Sequence, residues 1–340
     1  MINGLVERVL SAPDSPTADL YFRNACSDFL RRGVQQLAPT VFANDTTCLV
    51  MRHHMRAGRL PNRRRLIYLL DDDVVSGIGD TSLPFLYRQK LRWVEHVAGQ
   101  WMSKFAGVAV VGSPVLAKLF RPVMETHLLR PYWSERFAGL GHFDPLLQGE
   151  GWIDIAYLGS SVHRADLKFL LPVIGQLLAV EPRVRFHLPE RHTLPSEFDR
   201  HPRVLRIRGL GWSAYRREIA GRQFHIALYP LLDTPFNRAR SPNKLIEQAV
   251  VGAVPLYSRS WAETRRVDHG ISGICLPNVP EAWLDALQDL MADPARMLEI
   301  ARGAQSLARK LNTAEPQRKL WRSLFEMSGA SQAPKEAAVA

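Results

Sequence analysis

A chain of 340 residues, 46% hydrophobic and 23% charged, exceeds the roughly 250 to 300 residues at which single cores stop growing, so two domains are expected and disordered or fibrous classes are excluded. The formal net charge of +11 requires an anionic partner: nucleic acid, an anionic membrane surface or a phosphorylated small molecule. No apolar run reaches the roughly 18 residues that span a bilayer, and the opening MINGLVERVLSAPDS has no signal-peptide pattern, so a cytoplasmic protein is expected.

Taken in chain order, Ala18 to Arg32 reads as an amphipathic helix, with Cys26 at a core position. Cys26, Cys48 and Cys275 are far apart and odd in number, which suits a reducing compartment and gives neither a disulfide framework nor a zinc site. TTCLVMR and RLIYLLDDD read as short strands, the second an apolar run ending in three aspartates, like a buried parallel strand whose tip reaches a cleft. Basic residues gather in RHHMRAGRLPNRRR (Arg52 to Arg65) and RQKLRW (Arg88 to Trp93), as a solvated face or as a membrane or acceptor surface. A long helix follows over 83–107, then the strand VAVVGS and a helix opened by Ser113 and Pro114.

Residues 131–151 lose periodicity and read as the connector between domains. A second series alternates strand and helix from IDIAYLGS to ISGICLP and ends in paired helices and a last helix at PQRKLWRSLFEM. The chain therefore divides into residues 1–150, residues 151–327 and a polar tail, 328–340, read as disordered. Such alternation implies α/β architecture with two doubly wound parallel sheets, and the cleft between their strand ends is the default binding site.

Two segments could hold an anion there. After IAYLGS, the small residues Gly159, Ser160 and Ser161 let the backbone approach a ligand at a helix start, with His163 and Arg164 as cationic supplements; ordinary capping, with Asp166 opposing the helix dipole, is the alternative. The second segment is PLLDTPFNRARSPNKLIEQAVVG, where Ser241 as N-cap and Pro242 at the first helical position open a helix. Lys244 in its first turn opposes the positive end of the dipole, an oddity that an anion such as a diphosphate would remove. Glu247, one turn on and on the same face, is placed to accept two ribose hydroxyls or, alternatively, to complete a capping box.

With these residues the second half resembles the donor domain of GT-B glycosyltransferases, particularly the bacterial family 4 (group 1) type. The resemblance runs over roughly 152–325 through YLGSSVHRADL, IALYPLLDTPFNRARSPNKLIEQAVVGAVPLYS and GISGICLP. It implies a GT-B fold of two Rossmann-like domains facing a central cleft. It also implies transfer, with retention, from a nucleotide-diphosphate sugar to a glycan or lipid-linked acceptor, in cell-surface polysaccharide or glycoconjugate synthesis and without a metal or other cofactor. By resemblance Glu247 holds the ribose, Lys244 and Arg164 neutralise the diphosphate, and backbone N–H groups of Ser241 to Asn243 meet phosphate or sugar oxygens. The first glutamate of the family's E-x7-E motif is replaced by Ala239, so the sugar contact passes to Asp233, Asn237 or Arg240, or activity is lost in a sugar-nucleotide-binding relative.

The first half resembles the acceptor domain through YLLDDD, VAVVGSPVLAKLF and LLRPYW, without the Gly-rich first loop of many relatives. Asp71, Asp72, Asp73, His53 and His54 are its cleft candidates, the aspartates as acceptor-side base or polar cleft wall, with a structural helix cap as the alternative. The triple aspartate also resembles the metal motif of GT-A transferases, whose divalent ion bridges the donor diphosphate; against that rival, the donor-like features lie in the second half. No nucleic-acid-binding motif accompanies the positive charge, so nucleic acid is not an expected partner. The basic first half fits a peripheral site on an anionic membrane.

Overall fold

The computed structural model describes residues 15–52, 65–208 and 211–326. His53, His54, most of the basic run around them and the tail 328–340 lie outside the described residues. The first sheet contains β1 (Gln35–Ala38), β2 (Val41–Ala43), β3 (Thr47–Met51), β4 (Arg65–Leu70), β5 (Val108–Val111) and β6 (Glu125–Leu128), hydrogen-bonded in that order. The first two pairings are antiparallel and the rest parallel. The second sheet is parallel throughout, ordered β12-β11-β10-β7-β8-β9. Its strands are β7 (Ile153–Tyr157), β8 (Val184–Pro189), β9 (Val204–Ile207), β10 (Ile226–Tyr229), β11 (Val254–Ser258) and β12 (Ile274–Leu276).

Both halves read as doubly wound in sequence, but only the second sheet reverses its strand order, between β7 and β10. The first runs straight through. Its crossovers carry α1 (Val74–Gly79), the helical stretch 85–105 and α2 (Pro114–Phe120), all on one face, where Tyr68 and Leu70 meet Val74, Leu91 and Met102, and Val111 meets Leu116. Ser113 opens α2 as read, its Oγ accepting the Leu116 N–H at 3.3 Å, with Pro114 at the first helical position.

A parallel strand buries both faces, so Ile67, Leu69, Val108 and Val110 on the opposite side also need cover. It comes from the two ends of the described chain. Phe22 and Phe29 pack there beside Trp321, Leu324 and Phe325.

The second unit holds α3 (Arg164–Val180), α4 (Trp212–Ala220), α5 (Pro235–Arg238), α6 (Asn243–Val250), α7 (Pro280–Ala292) and α8 (Pro294–Leu311). The last helix, α9 (Glu315–Leu324), lies within residues 151–327 in sequence and packs on the first sheet. Gln317 donates to the Leu20 carbonyl at 2.7 Å, Trp321 Nε1 to the Tyr21 carbonyl at 2.7 Å, and Asn44 Nδ2 to the Phe325 carbonyl at 2.9 Å. Burying Trp321 and Phe325 stabilises this packing by on the order of 3 kcal/mol per ring.

The units also interlock at α5. Phe236 is fully buried among Val74, Leu83 and Leu91 of the first unit. Gly77 makes room for it, because a Cβ there would come within 2.8 Å of the Phe236 ring.

Candidate functional site

The reversal between β7 and β10 opens a crevice at the carboxyl ends of the strands, where open α/β sheets bind ligands. A cleft of about 460 Å³ lies there. Leu158, Gly159, Ser160, Ser161 and His163 line it after β7, Tyr229 at the end of β10, and Asn243, Lys244 and Glu247 on α6. Trp212 and Tyr215 of α4 form another wall, and Pro16 enters from the first unit.

Sequence places Lys244 and Glu247 together, and the fold makes them partners. Glu247 is only 2% exposed; its Oε1 accepts the Tyr215 hydroxyl at 2.9 Å and its Oε2 pairs with the Lys244 ammonium. The ammonium also donates to the Leu158 carbonyl at 2.7 Å and lies 6.0 Å from the Tyr229 ring centroid. The cation at this helix start thus has partners inside the fold as well as a face on the cleft. A capping-box role is ruled out, since both carboxylate oxygens meet side chains rather than backbone N–H groups. The helix starts one residue later than read, with Pro242 at the cap position and no side-chain cap from Ser241.

The other donor-side residues separate into two sets. Gly159, Ser160, His163, Arg240 and Asn243 line the cleft; Ser241, Pro242, Asp233, Asn237 and Arg164 do not. Arg164 opens α3 with an exposed side chain. Asp233 is exposed and paired with Arg238 at 3.0 Å. Asn237 is buried, its Nδ2 donating to the Leu232 carbonyl at 2.9 Å.

Asp166 does more than oppose a dipole: Oδ2 meets His163 Nδ1 at 2.8 Å while Oδ1 accepts the Leu232 N–H at 2.8 Å, tying the loops after β7 and β10 together. Gly159 is obligatory for a local reason, because a Cβ would fall 2.3 Å from the Tyr157 ring. Ala239 is fully buried, so no side chain reaches the cleft where the resemblance places a glutamate.

The triple aspartate is committed to cations and a helix cap. Asp73 caps α1, accepting the Ser76 N–H at 3.1 Å. Asp71 accepts the Thr17 hydroxyl at 2.8 Å and lies 3.3 Å from Arg52; Asp72 meets Arg52 at 2.8 Å and also pairs directly with Arg240 of the second unit. Arg52 further binds Glu95 at 3.0 Å, with its backbone in the left-handed region at φ 53°. It is therefore an internal counter-ion rather than part of a solvated basic face. A divalent ion would have to displace these guanidinium groups, which gives the GT-A rival no support. Burial pushes both carboxyls up, but Arg240 and then Arg52 hold Asp72 below the usual carboxylate range, while burial and its charged neighbour leave Asp71 raised.

Two residues went unnoticed in sequence. Arg191, just beyond β8, and Arg208, the first residue beyond β9, both line the cleft with exposed side chains. Neither has a carboxylate partner among the described residues, so their charge is available to a ligand. Beneath them, buried His192 donates Nε2 to the Gly159 carbonyl at 2.8 Å and fixes the β7 turn.

This inter-unit cleft at a switch point, lined by two cations without a carboxylate partner among the described residues, has the charge to receive an anionic ligand. No family model matches the chain, and no curated protein matches it. Among solved structures it is similar to Anabaena Alr3699/HepE in complex with UDP and glucose, at 14% identity and TM-score 0.56 over 78% of this chain and 72% of that one. It is similar to sucrose-phosphate synthase from Thermosynechococcus elongatus at 16% identity and TM-score 0.58, over 78% and 69%. WaaG, a glycosyltransferase involved in lipopolysaccharide biosynthesis, aligns at 13% identity and TM-score 0.55, over 76% and 77%. The fold is thus the GT-B fold, two parallel-rich α/β units about a central cleft.

Proposed function

We propose that the protein is a GT-B glycosyltransferase of the family 4 type that moves a sugar, with retention, from a nucleotide-diphosphate sugar to a hydroxyl of a glycan or lipid-linked acceptor. The observation that carries this is the unpaired Arg191 and Arg208 facing the same cleft as Lys244 and Glu247 at the β7/β10 reversal. On this reading residues 1–150 serve the acceptor and 151–327 the donor, with α9 bracing the first unit. Arg191, Arg208 and Lys244 hold the diphosphate and stabilise it as it departs, an electrostatic assistance strongest where water is excluded.

Glu247 accepts ribose hydroxyls with lone pairs left over from Tyr215 and Lys244, since a carboxylate offers about four acceptor sites. No metal is assigned a step. The structures solved with UDP or UDP-glucose support a nucleotide-sugar partner. A place in cell-surface polysaccharide synthesis, in the cytoplasm at the inner membrane face, belongs to the same proposal.

The burial of Ala239 favours a second reading, a nucleotide-sugar-binding relative without turnover. Single-turnover transfer or hydrolysis of a nucleotide-sugar panel by the purified chain separates the two. Release of diphosphate supports the transferase, and tight binding without release supports the binder. Binding of neither nucleotide nor nucleotide sugar refutes both.

A further inference from the structure

A second cavity, of about 630 Å³, opens in the first unit between the end of β4, α1, the stretch 85–105 and α2. Its walls are largely apolar, with Leu70, Val74, Leu116, Leu119, Phe120 and Val123 contributing. Asp72 and Asp73 lie at its polar end, and Glu95, His96, Gln100 and Ser103 of the stretch 85–105 complete its polar lining. Asp72 is also the partner of Arg240, which lines the donor cleft. One ion pair therefore forms the boundary between an apolar pocket and the cleft, and a molecule seated in the pocket has its polar end beside the place where a donor would lie.

The surroundings state what kind of molecule fits. Between residues 81 and 124 the chain has six Lys and Arg and a single acid, Glu95, which is fully buried against Arg52 and Lys90. The outward charge of this region is therefore wholly positive. Around the mouth Leu119 is 54% exposed, Val123 70% and Val75 65%; Lys104 lies on the rim. Apolar side chains interleaved with unopposed cations form a surface that suits an amphiphile carrying negative charge.

Resting on the glycosyltransferase reading, we infer that this pocket seats the apolar portion of an amphiphilic acceptor, with its hydroxyl directed to Asp72 and any anionic group to the Lys104 rim. Pockets of about 300–1,000 Å³ bury most of a drug-sized ligand, so several carbons of a chain or an aromatic body fit while the sugar-accepting end stays at the cleft. The Asp72–Arg240 pair joins a carboxylate of this pocket to a guanidinium that lines the donor cleft. The acceptor is thus selected by its apolar body as well as by its hydroxyl.

The test compares octyl β-glucoside below its micellar concentration with methyl β-glucoside, titrated calorimetrically into the full chain in the presence of UDP. Octyl glucoside is expected to bind more than about tenfold tighter, since each buried methylene adds favourable transfer energy. Leu119→Glu and Val123→Glu, at exposed positions that tolerate charge, should each remove that advantage while leaving UDP binding unchanged. Equal binding of the two glucosides, no binding of either, or full retention in both variants overturns the inference. Failure of UDP to bind is the separate result that counts against the donor site.

Discussion

Replacing Lys244 by Met isolates what the cation at the start of α6 does for the fold and what it does for a ligand. The substitution removes the partner of Glu247, which is 2% exposed, and the donor to the Leu158 carbonyl. Removing one member of a buried pair costs about 3–5 kcal/mol, because the other charge is left uncompensated. Here Tyr215 still donates to the carboxylate and the Lys244 side chain is 15% exposed, so about 2–3 kcal/mol is expected. At about 2–4 °C per kcal/mol for a domain of this size, Tm falls by about 4–12 °C.

The double variant Lys244→Met/Glu247→Gln buries no unpaired charge and should recover most of that loss, giving a coupling of about 1.5–2 kcal/mol. Nucleotide binding should not recover, because the cation and the carboxylate facing the cleft are both gone. Differential scanning calorimetry and UDP titration of the parent, Lys244→Met, Glu247→Gln and the double variant check this. A double variant no more stable than Lys244→Met, or a Lys244→Met protein as stable as the parent, would refute the reasoning about the pair.

Other outcomes follow from individual contacts. His225 accepts the Asp154 N–H at Nδ1 (3.0 Å) and donates from Nε2 to the His142 carbonyl (2.9 Å), and burial pulls its pKa down to about 4. A folded pKa below the ordinary value of about 6.5 means the unfolded chain binds the proton first, so stability is complete above about pH 6.5 and up to about 3 kcal/mol is lost as pH falls towards 4. Tm measured from pH 7.5 to 4.5 should fall, and His225→Gln should flatten that part of the curve; a parent protein with constant Tm over this range contradicts the assignment. Phe236→Ala empties a buried site between the two units and should lower stability by about 3–5 kcal/mol in denaturant unfolding; a loss under 1 kcal/mol would show that α5 does not brace the interface. Full-length protein should float with vesicles containing anionic phosphatidylglycerol and not with neutral ones, and should detach as salt rises; equal partition onto neutral vesicles counts against charge as the cause.

The alternating elements of the second unit were legible because its parallel strands are short apolar runs bounded by helix-start and turn residues. IDIAY, IALY and VPLYS fall on β7, β10 and β11. β1 was missed because QQLA is exposed along most of its length and carries no period-two apolar pattern. The amphipathic character of α9 revealed a helix but could not tell which of two sheets its apolar stripe would meet; that depended on the first sheet lacking a reversal and so leaving a face uncovered.

The site divides in the same way. Lys244 and Glu247 sit one helical turn apart, a spacing that sequence displays directly. Arg191 and Arg208 are two among 44 Lys and Arg in segments more than ten residues apart, and only strand order carries them to one crevice. The signal that would have found them is positional: each stands just past a parallel strand on the β7 side of the reversal, Arg191 beyond β8 and Arg208 beyond the edge strand β9. Asp233 and Asn237 stand outside the cleft lining with internal partners, Arg238 and the Leu232 carbonyl, and a polar loop between strand and helix does not display such contacts in sequence.

On the proposed function, the cleft at the β7/β10 reversal holds a nucleotide diphosphate by Arg191 and Arg208. Calorimetric titration of nucleoside diphosphates into the parent chain and into Arg191→Ala/Arg208→Ala tests it directly, since both side chains are exposed and their loss should leave Tm unchanged. At least one diphosphate should bind the parent, and the double variant should bind it about a hundredfold more weakly, about tenfold for each charge-assisted contact removed. A parent that binds no diphosphate, or a double variant that binds it as tightly as the parent, would contradict the account.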